Sequence, residues 1–188
     1  MATQKSSRSV LFCFLVLFSV VDPISKAFAL TFPQNPIIHG NLIPIERIFQ
    51  FGDSLSDSGN LIRENPIAGR PFMTYPYGQT IHNPTGRCSD GLLMIDHFAK
   101  FFHLSLLNPY LDQHANFTYG VNFAVAGSTA LDTSTLRAKG IISPVTNSSL
   151  FVQLNWFKSH LRSLCGDNLD CKKRVVTRSL VMMGNWRK

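Results

Sequence analysis

The sequence contains few of the residues that build metal or redox sites. Only four of its 188 residues are cysteines, no two of them form a Cys-x-x-Cys pair, and no histidine stands beside them at the spacing of a ligand motif. Structural zinc sites need thiolates and imidazoles grouped closely along the chain. The sequence therefore predicts neither a metal ion nor a cofactor.

Long hydrophobic runs are also missing, since a membrane-spanning helix needs about 20 apolar residues. The apolar stretch 10–21 is too short and ends at Asp22. Lys5 and Arg8 precede this stretch, and a small-x-small tripeptide ending at Ala29 follows it, which is the pattern of a secretory signal peptide. We expect cleavage after Ala29, a secreted mature chain and no stable membrane insertion.

Concentrated charge is equally scarce. The 18 basic and 11 acidic residues are scattered, and the one compact basic run is 172–174. No RNA- or DNA-binding motif accompanies that run, so the sequence predicts no nucleic-acid partner. We expect this run to lie on a solvated helix face, with some attraction to acidic cell-surface material.

Residues 30–188 are enough for one domain with its own core.

The cysteines and glycosylation motifs fit an oxidising, extracellular setting. Cys165 and Cys171 flank a turn-like spacer, and in such a setting they can close a small loop. Cys88 is left over, either as a buried free thiol or as a residue whose partner is absent. Asn116 and Asn147 each begin an Asn-x-Ser/Thr motif and are candidates for surface glycosylation.

The chain changes character abruptly after a short apolar stretch at 45–51. That stretch is rich in Ile and Phe and predicts a buried strand. The next residues, up to Asn60, are small and polar. A buried strand that ends in such a turn places side chains at the carboxyl edge of a sheet, where open α/β folds bind ligands. Ser54 is our candidate functional residue, although Gly52, Asp53 and Ser54 alone also suit a plain turn with a helix cap.

Short apolar stretches alternate with longer helical patterns in the rest of the chain. A second strand at 120–130 ends in small residues around Gly127. The other patterns predict an ordered loop over 63–85, helices over 92–102, 149–164 and 169–178, and a third strand over 179–184. This alternation favours a parallel sheet covered by helices.

Two of these helices have specific expected features. Ser89 or Asp90 is expected to cap the 92–102 helix. A spacing of three or four predicts that the 149–164 helix buries one apolar stripe, made of Leu150, Leu154, Phe157, Leu161 and Leu164.

The run Phe-Gly-Asp-Ser-Leu-Ser-Asp-Ser-Gly-Asn at 51–60 closely resembles the first sequence block of the GDSL esterase/lipases, the SGNH hydrolases, and especially their plant branch. The stretches 84–91 and 120–130 resemble further parts of that family. The resemblance implies a three-layer α/β/α fold with a parallel, flavodoxin-like sheet. It also implies that Ser54 is the nucleophile, that the Ser54 and Gly127 N–H groups form an oxyanion hole with Gly52 and Asp53 in support, and that the substrate is a small ester or a lipid-like acyl group.

The resemblance covers only the front part of the family's domain. The family's general base lies in an Asp-x-x-His block, which does not occur here, and Gly184-Asn185 lacks the aspartate of its Gly-x-Asn-Asp block. We therefore expect a C-terminally truncated domain over 30–188 and no general base among the six histidines. The leading hypothesis is a secreted serine ester hydrolase with impaired catalysis. The alternatives are a non-catalytic glycoprotein that retains the substrate pocket, and an unfolded truncation product.

Overall fold

A computed structural model describes residues 44–142 and 145–184. The predicted signal peptide and Asn185 therefore lie outside the described residues. The helices and strands, in chain order, are β1 (Arg47–Phe51), α1 (Asn60–Glu64), α2 (Pro66–Gly69), two 3-10 turns (Arg70–Met73 and Gln79–Ile81), α3 (Met94–Phe101), β2 (Gly120–Asn122), α4 (Thr133–Ala138), α5 (Leu150–Cys165), α6 (Leu169–Thr177) and β3 (Ser179–Met183).

The three strands form one parallel sheet with β1 in the centre, in the order β2-β1-β3. In the register, Phe49 lies opposite Val121 on one side and Val181 on the other. Because parallel strands run the same way, the segments that follow β1, β2 and β3 all emerge at one edge of the sheet. The turn containing Ser54 and the turn containing Gly127 both belong to that edge.

Alternation along β1 separates two hydrophobic layers. Ile48 packs with Ile95 and Ala99 of α3. Its neighbour Phe49 points to the opposite face, where it joins residues of α5 and α6, among them Phe157. Helices thus cover both faces of the parallel sheet, and the predicted α/β class with a three-layer arrangement is confirmed.

Helix α3 begins later than the sequence suggested, and its predicted cap is wrong. Its N-cap is Leu93, not Ser89 or Asp90. The carboxylate of Asp96 accepts the Leu93 N–H at 2.9 Å and binds the Arg87 guanidinium through two hydrogen bonds of 2.9 and 3.0 Å. A buried carboxylate with a bidentate partner holds the helix start, so a serine or aspartate before the helix is not needed.

Helix α5 has nearly the predicted extent but buries only part of the predicted stripe. Leu154 and Leu164, both expected in the apolar stripe, are 38% and 45% exposed. The most deeply buried side chains of the helix are instead Gln153 and His160. Phe157 lies beside them in the core. The predicted stripe is right for Phe157 and Leu161, which pack against the core, but it misses the two polar residues that occupy the deepest positions.

The segment 63–85 is more helical than predicted. It contains the end of α1, all of α2 and both 3-10 turns. Helix α2 starts at Pro66, whose ring suits a first helical position, and the Asn65 side chain accepts the Ala68 N–H at 3.2 Å. Each piece is shorter than two helical turns, so no repeating apolar pattern shows it in the sequence.

A disulfide joins the end of α5 to α6. Cys165 and Cys171 are paired, with 5.6 Å between their Cα atoms. Cys88 is a half-buried free thiol among the described cysteines. No helix in the described part of the chain combines the length and the hydrophobicity needed to cross a bilayer.

Candidate functional site

Ser54 lies three residues beyond the end of the central strand β1. The carbonyl of Asp53 accepts the N–H groups of Ser56 and Asp57 at 3.1 and 3.0 Å, and the Asp53 carboxylate accepts the Leu55 N–H at 3.1 Å. These bonds fold the chain into a tight turn around Ser54. Asp53 is buried while Ser54 is partly exposed. The serine is therefore accessible within a turn that is otherwise rigidly bonded.

Asp57 anchors this turn from the inside. Its side chain is completely buried, and its two oxygens accept four backbone N–H groups, those of Gly59, Asn60, Leu61 and Ala126, at 2.6–3.0 Å. Burial raises the pKa of the Asp57 carboxyl, and the four hydrogen bonds oppose that shift. Three of the bonds shape the start of α1, and the fourth ties the turn to the segment after β2.

Asn60 adds a second tie between the same segments. Its side-chain NH₂ donates to the carbonyls of Asn122 and Ala124, both at 2.8 Å, and its oxygen accepts the Leu111 N–H at 2.9 Å. The Asn122 amide in turn donates to the Ser56 carbonyl at 2.6 Å. The Ser54 turn and the end of β2 are thus cross-linked in both directions by buried amides.

Gly127 occupies a tight turn in which only glycine fits. Its φ is +86°, and a Cβ atom there would lie 2.8 Å from Cγ1 of Val145. L-residues with side chains rarely adopt such a φ. Within the described part of the chain, the N–H groups of Gly127 and Ser54 have no protein acceptor. Each turn therefore presents a backbone donor that has no acceptor among the described residues.

A buried glutamine from α5 contacts both turns. Oε1 of Gln153 accepts the Gly52 N–H at 3.1 Å, and Nε2 lies 3.0 Å from the Gly52 carbonyl, 3.1 Å from Oγ of Ser128 and 3.2 Å from the Ser148 carbonyl. Gly52 precedes Ser54 by two residues and Ser128 follows Gly127 directly. One side chain therefore contacts the backbone of Gly52 and the hydroxyl of Ser128, which lie close in sequence to the two candidate donors.

The described histidines do not provide a base for Ser54. His160 is only 5% exposed and is surrounded by the rings of Phe49, Phe117 and Phe123. His82, His97, His103 and His114 are exposed. No hydrogen bond joins the Ser54 hydroxyl to any group within residues 44–142 and 145–184. His39 lies outside these ranges.

Comparison with known proteins decides the family. The family model for the GDSL-like lipase/acylhydrolases matches residues 48–171, which include Ser54, Gly127 and Gln153. The chain belongs to the GDSL-like lipase/acylhydrolase family. The resemblance found in the sequence is thereby confirmed.

Curated relatives of this GDSL-family chain are plant proteins. It is 48% identical over 152 residues to an acetylajmalan esterase of Rauvolfia serpentina, a match that covers 79% of this chain and 39% of the relative. It is 48% identical over 140 residues to a GDSL esterase/lipase of Arabidopsis thaliana, covering 73% of this chain and 36% of the relative. The GDSL-family chain thus spans less than half the length of these relatives.

The structure adds one residue, Gln153, to those that the sequence placed at the candidate GDSL site. The structure places Ser54 and Gly127 in neighbouring turns at one edge of the sheet, with Gly52 and Asp53 supporting the first turn. Asn116 and Asn147 are exposed and belong to other loops. Sequence reasoning missed Gln153. The available signal was a glutamine at helical spacing from Trp156 and Phe157, in the stripe that proved to be buried.

No cluster of three metal-ligating side chains occurs in the part of the GDSL domain that the structure describes. Asp53 and Asp57, the two carboxylates nearest Ser54 in sequence, already accept backbone N–H groups.

Proposed function

We propose that the protein is a secreted serine ester hydrolase that acts through an acyl-enzyme on Ser54. The observation that carries this proposal is a pair of backbone donors, the N–H groups of Ser54 and Gly127, that lie in cross-linked turns with a partly exposed serine hydroxyl and have no acceptor among the described residues. Preorganised N–H groups near a nucleophile are what ester hydrolysis needs, because negative charge develops on the carbonyl oxygen of the substrate.

The proposed reaction has two steps. Oγ of Ser54 attacks the ester carbonyl carbon, and the resulting oxyanion accepts hydrogen bonds from the N–H groups of Ser54 and Gly127. The intermediate collapses, the alcohol leaves with the proton that Ser54 gave up, and the acyl group stays on the serine. Water then releases the acid and restores the hydroxyl. Losing one oxyanion donor typically costs about 3–4 kcal/mol of transition-state stabilisation.

Catalysis by this chain is proposed to be impaired. The Ser54 proton needs a general base held by a third group, and the described residues place no histidine at the hydroxyl. Removal of a triad member lowers rates by about 10⁴–10⁶-fold, while oxyanion binding preserves a residual rate. We expect slow acylation by activated substrates and very slow turnover of ordinary esters.

The proposed substrate class is a small ester or a lipid-like acyl ester. One relative is named an acetylajmalan esterase, and others are named GDSL esterase/lipases. These names support an ester substrate for the present chain without selecting its acyl or alcohol part. Loops build the pockets that recognise those parts, so the fold leaves them open.

Secretion is supported by two features. The disulfide between Cys165 and Cys171 is of a kind that persists in oxidising compartments. Asn116 and Asn147 are exposed, as glycosylated residues must be. Expression in a secreting eukaryotic cell is expected to give a medium-borne glycoprotein whose first residue is Leu30. Recovery only from the cytosol, with Met1 retained, would refute the proposal of secretion.

A non-catalytic role is the second candidate. The described residues place no base at the Ser54 hydroxyl, which favours this role because backbone donors without a base bind an ester without cleaving it. Such a protein would retain its affinity for an ester analogue after Ser54→Ala and show no Ser54-dependent hydrolysis. The pocket and the chemistry are therefore separable by one substitution.

The deciding experiment is labelling of the purified full chain with a fluorophosphonate serine probe. Ser54→Ala is expected to abolish the labelling, and Ser134→Ala, at an exposed serine of α4, is expected to leave it unchanged. Circular dichroism establishes that each variant is folded. Absence of labelling in the folded wild-type chain would overturn the hydrolase proposal and favour the non-catalytic one.

A further inference from the structure

We propose that Gln153 is a positioning residue that sets the relative alignment of the two oxyanion donors. The inference rests on the proposed function, in which the N–H groups of Ser54 and Gly127 are those donors. Gln153 itself does not reach the reacting atoms in this proposal. It acts through Gly52 and Ser128, which lie close in sequence to the two donors.

Gln153 clamps the backbone of Gly52. The N–H of Gly52 donates to Oε1 of Gln153, and its carbonyl lies within hydrogen-bond distance of Nε2. Holding both the N–H and the carbonyl of one residue fixes the position and the rotation of the backbone there. Ser54 follows two residues later, so the direction of its N–H depends on this clamp.

Gln153 also contacts the turn that follows β2. Nε2 of Gln153 also lies close to Oγ of Ser128 and to the Ser148 carbonyl, and the Ser128 hydroxyl donates to that same carbonyl at 2.6 Å. An NH₂ group has two hydrogens, so three acceptors share them through a three-centre bond. Ser128 directly follows Gly127, and the network therefore holds the second donor from behind.

The orientation of the amide is determined by its partners. Only an oxygen can accept the Gly52 N–H, and only an NH₂ group can donate to two carbonyls. Glutamic acid, methionine and leucine each lack part of this set. A glutamine uses all of it, at a distance of 101 residues along the chain from Gly52.

Gln153 is a core residue and not a surface residue. The Gln153 side chain is completely buried, on the face of α5 that also carries Trp156 and Phe157. A buried amide is stable only when its hydrogen bonds are made. An apolar side chain at this core position would bury its surface without any such requirement, so packing alone does not account for a glutamine here.

An oxyanion hole needs accurately placed donors, which is why a positioning residue such as Gln153 is useful. Catalytic donors work only when held within about 0.5 Å of their productive positions. The two donors come from turns separated by more than 70 residues of chain, and Gln153 joins these turns in addition to the ties made by Asp57 and Asn60. A group bonded to both turns limits their relative displacement.

The test replaces Gln153 by methionine, which keeps the length of the side chain and removes its hydrogen bonds. We expect the second-order rate of fluorophosphonate labelling at Ser54 to fall at least 30-fold while the chain stays folded. Gln50→Met is the matched control. Gln50 is also a buried amide, but its Nε2 donates only to the neighbouring Phe51 carbonyl. Its labelling rate is expected to stay within threefold of wild type.

Ser128→Ala serves as a milder variant because it removes one partner of the amide and leaves Gln153 in place. We expect a 3–10-fold loss of labelling rate. If Gln153→Met does not fold, this variant decides the question. An unchanged labelling rate in folded Gln153→Met, or in Ser128→Ala when the first variant is unfolded, would overturn the proposal.

Amide hydrogen exchange separates this inference from the proposed function. In Gln153→Met, or in Ser128→Ala if the first variant does not fold, the N–H groups of Gly52, Val125 and Ser128 are expected to exchange at least tenfold faster, while those of the β1–β2 ladder keep their protection. Exchange that accelerates equally everywhere indicates a purely structural role and refutes positioning. If wild type is not labelled at all, the hydrolase proposal fails, and this exchange pattern still decides whether Gln153 aligns the two turns.

Discussion

The carboxylate of Asp57 accepts the N–H of Ala126 across 69 residues of chain, at 2.8 Å. The same carboxylate holds three N–H groups at the start of α1. It therefore connects the turn that carries Ser54 to the turn that carries Gly127 without touching either residue. Together with the Asn60 and Gln153 amides, it makes the two turns one bonded unit.

Replacing Asp57 by asparagine is expected to destabilise this unit. The NH₂ group of asparagine would face N–H donors that now bind a carboxylate oxygen, which leaves buried donors unsatisfied. Each costs about 1–3 kcal/mol, so we expect a loss of about 2–4 kcal/mol in the free energy of unfolding. Urea denaturation measures the loss. Asp167→Asn, at an exposed position between α5 and α6, should change stability by less than about 0.5 kcal/mol. Equal stabilities of the two variants would contradict this account.

Two glycines allow conformation and packing to be separated. Gly127 and Gly140 have φ values of +86° and +72°, but a Cβ atom at Gly140 would have no neighbour within 4 Å. Gly140→Ala is therefore expected to cost only the backbone strain, about 1–2 kcal/mol. Gly127→Ala adds a contact with Val145 and is expected to cost about 1–3 kcal/mol more. Thermal or urea unfolding of both variants provides the comparison. A smaller loss for Gly127→Ala would rule out the close approach.

His160 is expected to make the fold sensitive to acid. Burial lowers the pKa of its imidazole, and the positive charge of Arg47 lowers it further. In the unfolded chain the imidazole takes up a proton near pH 6.5, whereas in the folded chain it stays neutral to a lower pH. The unfolded state then binds more protons, so stability decreases as the pH falls below about 6.5, by up to about 1.4 kcal/mol per pH unit.

The measurement is the free energy of unfolding between pH 7.5 and pH 5. His160→Phe, which suits the surrounding aromatic rings, is expected to flatten the dependence in this range. His97→Gln is the control, since His97 is exposed on α3 and its replacement should leave the slope unchanged. A slope that persists in His160→Phe would assign the acid sensitivity to other groups.

The disulfide between Cys165 and Cys171 closes a small loop between two helices. By the loop-entropy relation, a cross-link across six residues contributes about 2 kcal/mol. Replacing both cysteines by serine is expected to lower the free energy of unfolding by that amount, as is reduction of the wild-type protein. Cys88→Ser, at the free thiol, is the control. Its stability should depend on reductant in the same way as that of the wild-type chain. If reductant does not change the stability of the wild-type protein, the stabilising role of the disulfide is refuted.

Local patterns explain why much of the fold was predictable. Apolar spacing and nearby turn residues indicate four elements in the sequence: β1, β3, α5 and α6. The buried face of α5 did not follow from such patterns. Its core positions include Gln153 and His160, which hydropathy assigns to the surface, and only contacts with distant segments show that they are inside.

The site was predictable in the same limited sense. Ser54 and Gly127 stand in recognisable runs of small residues, so the sequence indicates where the donors lie. The bonds that align them depend on segments far apart in the chain, such as Gln153 with Gly52 or Asp57 with Ala126. Spacing along the chain carries no information on such pairs, since tertiary folding alone creates them.

The strand register also has a consequence during synthesis. Strand β1 pairs with β3 from Arg47 opposite Ser179 to Phe51 opposite Met183, so its second partner is made about 130 residues later. Ribosomes add roughly 5–20 residues per second, and β1 therefore waits roughly 7–26 seconds for that partner. During this interval the Phe-rich strand lacks half of its ladder and the clamp from α5 forms late. We expect the nascent chain to depend on chaperones until β3 has left the ribosome.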